Sequence, residues 1–293
     1  MLTFMLAFVP TASATGDGLA ECVTWAMTTY SGNDCFSTLG SPDDLLYSDS
    51  MTDYWTDEVA TWSFDTNLRV TTETAVEGED MGDADFIGWG TDTQTTDGID
   101  TFDLAYVVSH GGDRSCSTSG LSFFGLADSD ATPLSQTCVP DVQQDTEWGD
   151  TDLNQFFTAA CSSVQECVWD DDGYDTMNSD DFQLYGGYHG INTDGPFIGS
   201  EINDYVNGAR SVDVGSDWIS IFTEIRVLSD DDDCPGVIIF AQTSTQANNY
   251  FNDAGLDDYY SESTGDHSKR FWFFTDGCDP DEGTSLSGSP RVH

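Results

Sequence analysis

Two short apolar runs, each stopping at a chemically active side chain followed by small residues, constrain this chain most. One is Tyr106-Val107-Val108-Ser109-His110-Gly111-Gly112; the other is Phe156-Phe157-Thr158-Ala159-Ala160-Cys161-Ser162-Ser163. Apolar character without polar alternation is the pattern of a strand buried on both faces, as in a parallel sheet. In open α/β sheets the ligand crevice lies outside the carboxyl ends of the strands. A histidine ending one strand and a cysteine ending its neighbour would meet there as a nucleophile–base dyad. A third run, Phe182-Gln183-Leu184-Tyr185-Gly186-Gly187-Tyr188-His189-Gly190, repeats the strand-to-His-Gly pattern.

The remaining elements read less sharply. Residues 15–60 are polar turns carrying Trp25, Tyr30, Tyr54 and Trp55, with weak helical spacing over 45–62. Residues 66–82 are polar, and Leu68-Arg69-Val70 is an edge strand or part of a loop. Asp85-Phe86-Ile87-Gly88-Trp89-Gly90 and Leu121-Ser122-Phe123-Phe124-Gly125-Leu126 are further apolar runs. Residues 198–207 predict a helix with Ile202, Tyr205 and Val206 on one face and Gly208 as the stop signal. Trp218-Ile219-Ser220-Ile221-Phe222 opens another after Ser216-Asp217. Val237-Ile238-Ile239-Phe240-Ala241 and Phe271-Trp272-Phe273-Phe274 read as strands at a sheet edge or in an added hairpin. This alternation predicts an α/β fold around a mainly parallel central sheet, in one domain over residues 15–278 with embellishments at both ends. Residues 279–293, rich in Gly, Ser and Pro, are expected to be a mobile tail.

Charge narrows the partners. Lys plus Arg number 7 against 54 Asp plus Glu, a net charge of -47, and Lys269 is the only lysine. Such a surface repels nucleic acid and anionic lipid. It suits a protein kept soluble in salty water, where ions screen the self-repulsion. The run Leu2-Thr3-Phe4-Met5-Leu6-Ala7-Phe8-Val9 is too short to span a bilayer. Pro10 and Ala12-Ser13-Ala14 follow it as a signal-peptidase site would, so residues 1–14 predict a signal peptide without a basic n-region, and export. No later stretch predicts a membrane span.

Eight cysteines fit an exported chain: Cys22, Cys35, Cys116, Cys138, Cys161, Cys167, Cys234 and Cys278. An even count suggests disulfides, with Cys22–Cys35, Cys116–Cys138 and Cys234–Cys278 suggested by spacing alone. The lack of paired CxxC motifs argues against a structural zinc site. Cys161 and Cys167 are either both thiols or bridged to one another, in which case no nucleophile remains.

A cysteine nucleophile needs a base, donors for the oxyanion and backbone room for a peptide. His110 meets the first need, lowering the thiol pKa and passing a proton to the leaving amine. Gly111, without a side chain, lets its N–H approach a substrate carbonyl, and with the N–H of Cys161 would form an oxyanion hole. Ser162 and Ser163 suit a turn leaving the strand. His189 lines the pocket or is hydrogen-bonded in its glycine turn. Arg114 contacts an acidic P1 group or is a surface charge. His267 and His293 carry no pattern.

The Val-Val-Ser-His-Gly block followed by Thr-Ala-Ala-Cys-Ser-Ser resembles the clan of caspases, legumains, gingipains and metacaspases. Residues 85–218 are most similar to a family of exported, mostly uncharacterised caspase-like domains, in which an Ala-Ala-Cys strand precedes a Gly-Gly-Tyr-His-Gly-like strand. The resemblance covers under half the chain. It implies a three-layer caspase-like fold, His110 and Cys161 as the catalytic dyad at neighbouring strand ends, Gly111 as oxyanion contributor, and a peptide or protein substrate. The expected function is an exported caspase-like cysteine peptidase. The alternative is an inactive exported binding or surface domain on the same scaffold. A thiol redox protein using Cys161 and Cys167 is a third reading, at odds with the usual CxxC spacing.

No cofactor is required by the dyad. The acidic runs Asp170-Asp171-Asp172-Gly173-Tyr174-Asp175 and Asp230-Asp231-Asp232-Asp233 offer oxygens that Ca2+ would accept. Val168 breaks the EF-hand pattern in the first, and a solvated loop is the simpler reading of both. Substrate choice and oligomeric state are not encoded legibly.

Overall fold

A computed structural model describes residues 21–26, 47–62, 69–73, 99, 102–108, 153–160, 163–164, 182–188, 198–229, 234–257, 269–274 and 291–292. The strands are β1 (Glu21–Ala26), β2 (Arg69–Glu73), β3 (Leu104–Val108), β4 (Gln155–Ala159), β5 (Leu184–Tyr188), β6 (Pro235–Ala241), β7 (Lys269–Phe274) and β8 (Arg291–Val292). The helices are α1 (Ser48–Val59), α2 (Ile198–Gly208), α3 (Val214–Ser229) and α4 (Ser244–Asp253).

One sheet takes all eight strands in the order β2-β1-β3-β4-β5-β6-β7-β8. β1 to β5 run parallel. β6, β7 and β8 continue the sheet antiparallel. The protein is therefore α/β, with a mixed sheet that is only partly parallel. Among the parallel strands the order 2-1-3-4-5 places the topological switch point between β1 and β3. Of residues 68–70, readable as edge strand or loop, Arg69 and Val70 open β2, which lies at one edge of the sheet, and Leu68 lies outside the described residues. β6 and β7, expected at a sheet edge or in an added hairpin, pair antiparallel toward one side of the sheet, but α4 lies between them in the chain, so they are not a hairpin. Within the tail expected to be mobile, Arg291 and Val292 pair with Trp272 and Phe271.

Every residue of β3, β4, β5 and β6 is buried, which is why their sequences show no polar alternation. Alternate residues still divide between two faces. Leu104, Tyr106, Val108, Phe157, Ala159, Leu184, Tyr188, Val237 and Ile239 join one core with side chains of all four helices. On the other face Phe156 packs edge-on to Tyr185 at 5.2 Å, and Phe182 lies 5.1 Å from Phe240.

The helices follow their apolar stripes. Met51, Trp55 and Val59 of α1 recur at i+4 and are buried, with Trp62 just beyond the helix end. In α2, Ile198, Ile202, Tyr205 and Val206 do the same, as the spacing predicts. α3 begins at Val214, four residues earlier than the Trp218 start read from the sequence, and the Tyr205 hydroxyl donates to Val214 O at 3.1 Å. α4 has only Ala247 buried, and its start is set instead by Thr243, whose hydroxyl accepts the Gln246 N–H.

The middle of the core is aromatic. Trp55 stacks on Tyr106 at 4.4 Å. Trp218 touches four further rings: Phe222 at 4.4 Å, Phe157 at 5.0 Å, Tyr205 at 5.1 Å and Tyr188 at 5.7 Å. Gly186 leaves room for the Phe157 ring, which a Cβ at that position would overlap. These contacts join α1, α2 and α3 to the three central strands.

The amino ends of the strands are closed. Leu256 N–H donates to Ala209 O and Asp257 N–H to Arg210 O, each at 2.9 Å. The Arg210 guanidinium lies 3.6 Å from the Asp257 carboxylate and over the Trp62 ring. Gln155, at the start of β4, donates to Gly255 O. With 7 basic against 54 acidic residues, few acids can find such a partner. Screening must do the rest. The Debye length falls from about 30 Å at 0.01 M salt to about 3 Å at 1 M. The melting temperature is expected to rise over that range in a scanning-fluorescence titration with NaCl; a flat response would show that self-repulsion is not a destabilising force here.

Candidate functional site

The carboxyl ends of β3, β4 and β5 are where the sequence places its chemistry. The described chain reaches Val108 on β3, Ala160 past β4 and Tyr188 on β5. His110, Gly111, Arg114, Cys161, Ser162 and His189 lie outside the described residues, so the sheet locates the strand ends that carry them and not the side chains. The expected neighbours are real: β3 pairs directly with β4, and β4 with β5, all parallel.

Register gives the sharper constraint. Leu104 lies opposite Gln155 and Val108 opposite Ala159, an offset of 51 positions. The same 51 positions separate His110 from Cys161, each two residues beyond the last registered pair. Neighbouring strands lie about 4.8 Å apart. β3 also borders the switch point beside β1, where sheets of this order open a crevice.

No family model and no curated protein matches this chain.

Beyond Ala160, the chain is described again at Ser163 and Val164, a buried turn. Ser163 Oγ accepts the Tyr188 N–H at 2.9 Å, and the Val164 N–H donates to Tyr188 O at 3.1 Å. Sequence reading found the turn in Ser162-Ser163 but missed this bond, which spans 25 positions. The signal was present in Gly186-Gly187, because glycine inside a strand often marks a close approach. A Cβ on Gly187 would overlap Ser163 Oγ, and one on Gly236 would stand 2.8 Å from Val164 Cγ2. From the helical face the Trp218 indole N–H donates to Gly187 O at 3.2 Å.

Two cysteines can be assigned. Cys22 is a free, fully buried thiol in β1, so the Cys22–Cys35 pairing suggested by spacing is not formed. Burial pushes its pKa up to about 12. Such a thiol is an inert hydrophobe. Native protein is expected to leave Cys22 unlabelled by iodoacetamide at pH 8 and to label it after unfolding in urea, read by peptide mass mapping. Labelling in the native state would mean that β1 opens. Cys234, just before β6, is disulfide-bonded.

Metal and membrane readings gain no residues. Among the described residues no group of three or more His, Cys, Asp or Glu side chains is placed to hold a metal ion. Both acidic runs considered for Ca2+ lie outside them. Within the same limits, no helix is long and apolar enough to cross a membrane.

Proposed function

We propose that this protein is an exported caspase-like cysteine peptidase acting through a Cys161–His110 dyad. The observation that carries the reading is the shared offset: 51 positions register β3 on β4, and 51 positions separate histidine from cysteine. A five-strand parallel segment, with α1, α2 and α3 packed on one face, supports the caspase-like topology. The disulfide at Cys234 supports export to an oxidising compartment, as does the signal-like N-terminus.

In this reading His110 holds the Cys161 thiol as thiolate, which attacks the scissile carbonyl carbon. The carbonyl π electrons move onto oxygen, where the N–H groups of Gly111 and Cys161 receive the charge. As the tetrahedral intermediate collapses, the C–N bond breaks and the imidazolium donates its proton to the departing amine. Water, deprotonated by the same imidazole, then hydrolyses the thioester and restores the thiol. No metal enters these steps. A peptide or protein with a basic P1 residue is the favoured substrate, because a net charge of -47 attracts cations.

A peptide map of the non-reduced protein after alkylation at neutral pH tests the reading. A free Cys161 that labels quickly supports it. A Cys161–Cys167 bridge that resists mild reduction overturns it in favour of an inactive, caspase-shaped binding domain.

A further inference from the structure

α4 holds its place without an apolar stripe. Of its ten residues three are asparagine, a poor helix former, and only Ala247 is fully buried. Its start is fixed by the Thr243 cap, and Phe251 stacks on Phe273 of β7 at 4.1 Å. An exposed helix anchored in this way is best served by alanine, lysine or glutamate at its remaining positions. α4 carries amides and hydroxyls there instead, so helix stability does not account for them.

Several of those groups gather along one side. Thr243, Gln246, Asn249, Tyr250 and Asp253 line an open cleft of about 370 Å³ that extends from the cap to the last turn. Ligand sites run from about 300 to 1,000 Å³, so this one suits a small molecule. The hydrogen-bonding groups are sorted between helix and cleft. Asn248 and Asn252, which do not line it, donate to Ser244 O and Asn248 O at 2.7 Å each. Asn249, which does, makes no hydrogen bond among the described residues, so both ends of its amide stay available. Gln246 Oε1 accepts the Gln242 N–H at 3.1 Å, which holds the side chain and leaves Nε2 to donate. Tyr250 is partly buried against the core, so its ring is fixed where it lines the cleft.

We propose that the α4 cleft binds a neutral saccharide, with Gln246, Asn249 and Asp253 on its hydroxyls and the Tyr250 ring against its apolar C–H face. Sugar hydroxyls both donate and accept, as this lining does. The side of a pyranose ring is apolar, as Tyr250 is below its hydroxyl. Other ligand classes fit less well. An anion meets no cation in the lining and a net charge of -47 around it. An apolar ligand would strip water from Asn249 and Asp253 without replacing its hydrogen bonds. A hard metal ion takes about 6–8 oxygens, for which one carboxylate is a poor start. A cationic amine is drawn to Asp253 as to any other acid of the chain and gains nothing from the amides. The assignment is independent of the dyad: the cleft would hold the protein on a glycan with or without cleavage by Cys161.

Saturation-transfer difference NMR on the full chain tests it, in about 1 M NaCl so that self-repulsion is screened. The probes are glucose, galactose, N-acetylglucosamine, cellobiose and chitobiose. At least one is expected to receive saturation at millimolar concentration. Asn249→Ala is expected to weaken that binding about tenfold, the size of one lost hydrogen bond. Tyr250→Leu, which keeps apolar volume against the core and removes the ring, is expected to weaken it at least as much. Asn252→Ala removes an amide that serves the helix backbone and is expected to leave binding unchanged. Asn249 and Asn252 are both exposed, so neither variant removes core packing. No transfer to any of the five probes overturns the assignment. Unchanged binding in Asn249→Ala also overturns it, and so does a loss in Asn252→Ala as large as that in Asn249→Ala. None of these outcomes depends on the reactivity of Cys161, so the cleft and the dyad stand or fall separately.

Discussion

Trp218→Ala is expected to cost about 3–5 kcal/mol of folding free energy, the usual range for deleting a large buried aromatic side chain. Trp218 is fully buried and touches Phe157, Tyr188, Tyr205 and Phe222, so its loss leaves rings from two strands and two helices facing a void. The indole N–H also leaves the Gly187 carbonyl without its donor. A single domain typically has about 5–15 kcal/mol to lose. The urea midpoint should fall steeply with little change in slope, since the surface exposed on unfolding stays nearly the same. Trp218→Phe, which keeps a ring and removes only the donor and part of the area, should lose much less. Equal losses in the two variants would mean that the hydrogen bond, rather than ring packing, dominates. A small loss in Trp218→Ala would mean that the core closes over the gap.

The same packing explains which parts of the fold were legible in the sequence. β3, β4 and β5 are buried on both faces, so five consecutive residues of each carry the signal. α2 was legible because Ile202, Tyr205 and Val206 form a stripe one face wide. β1 was not, although it lies between β2 and β3. Its Glu21-Cys22-Val23-Thr24 stretch mixes polar and apolar residues, and Thr24 is buried without being apolar. α4 was missed for a related reason: one buried residue makes no stripe, and its start depends on the Thr243–Gln246 capping bond. At the site, the separation of His110 and Cys161 was visible as a number, while its meaning needed the register of β3 on β4. The Ser163–Tyr188 bond was missed because nothing in Ser162-Ser163 itself distinguishes a serine that will accept a distant N–H from one that will face water, and the hint lay on the other strand, in Gly186-Gly187.

His110→Ala is expected to slow peptide cleavage by about 10²–10⁴-fold, the contribution of a positioned general acid–base group, and Cys161→Ala to reduce it to background. Fluorogenic peptides with Arg or Lys at P1 supply the assay, and alkylation of Cys161 supplies a second readout independent of substrate choice. The two should move together in a defined direction. Under the proposed dyad the imidazolium stabilises the thiolate, so labelling of the unsubstituted protein is expected to stay rapid well below the ordinary thiol pKa of about 8.5. Without His110 the thiol pKa rises toward that value, so labelling at pH 7 slows and recovers as the pH is raised. Cleavage does not recover with it, because the departing amine still lacks its proton donor. Cys22, buried with a pKa pushed up to about 12, stays silent throughout and marks any sample that has unfolded. The double variant should be no worse than Cys161→Ala alone, since groups acting as a unit do not add. Residual cleavage in Cys161→Ala that is still lost with His110 would place the nucleophile elsewhere, and identical labelling profiles with and without His110 would separate the two strand ends that the shared 51-position offset brings together.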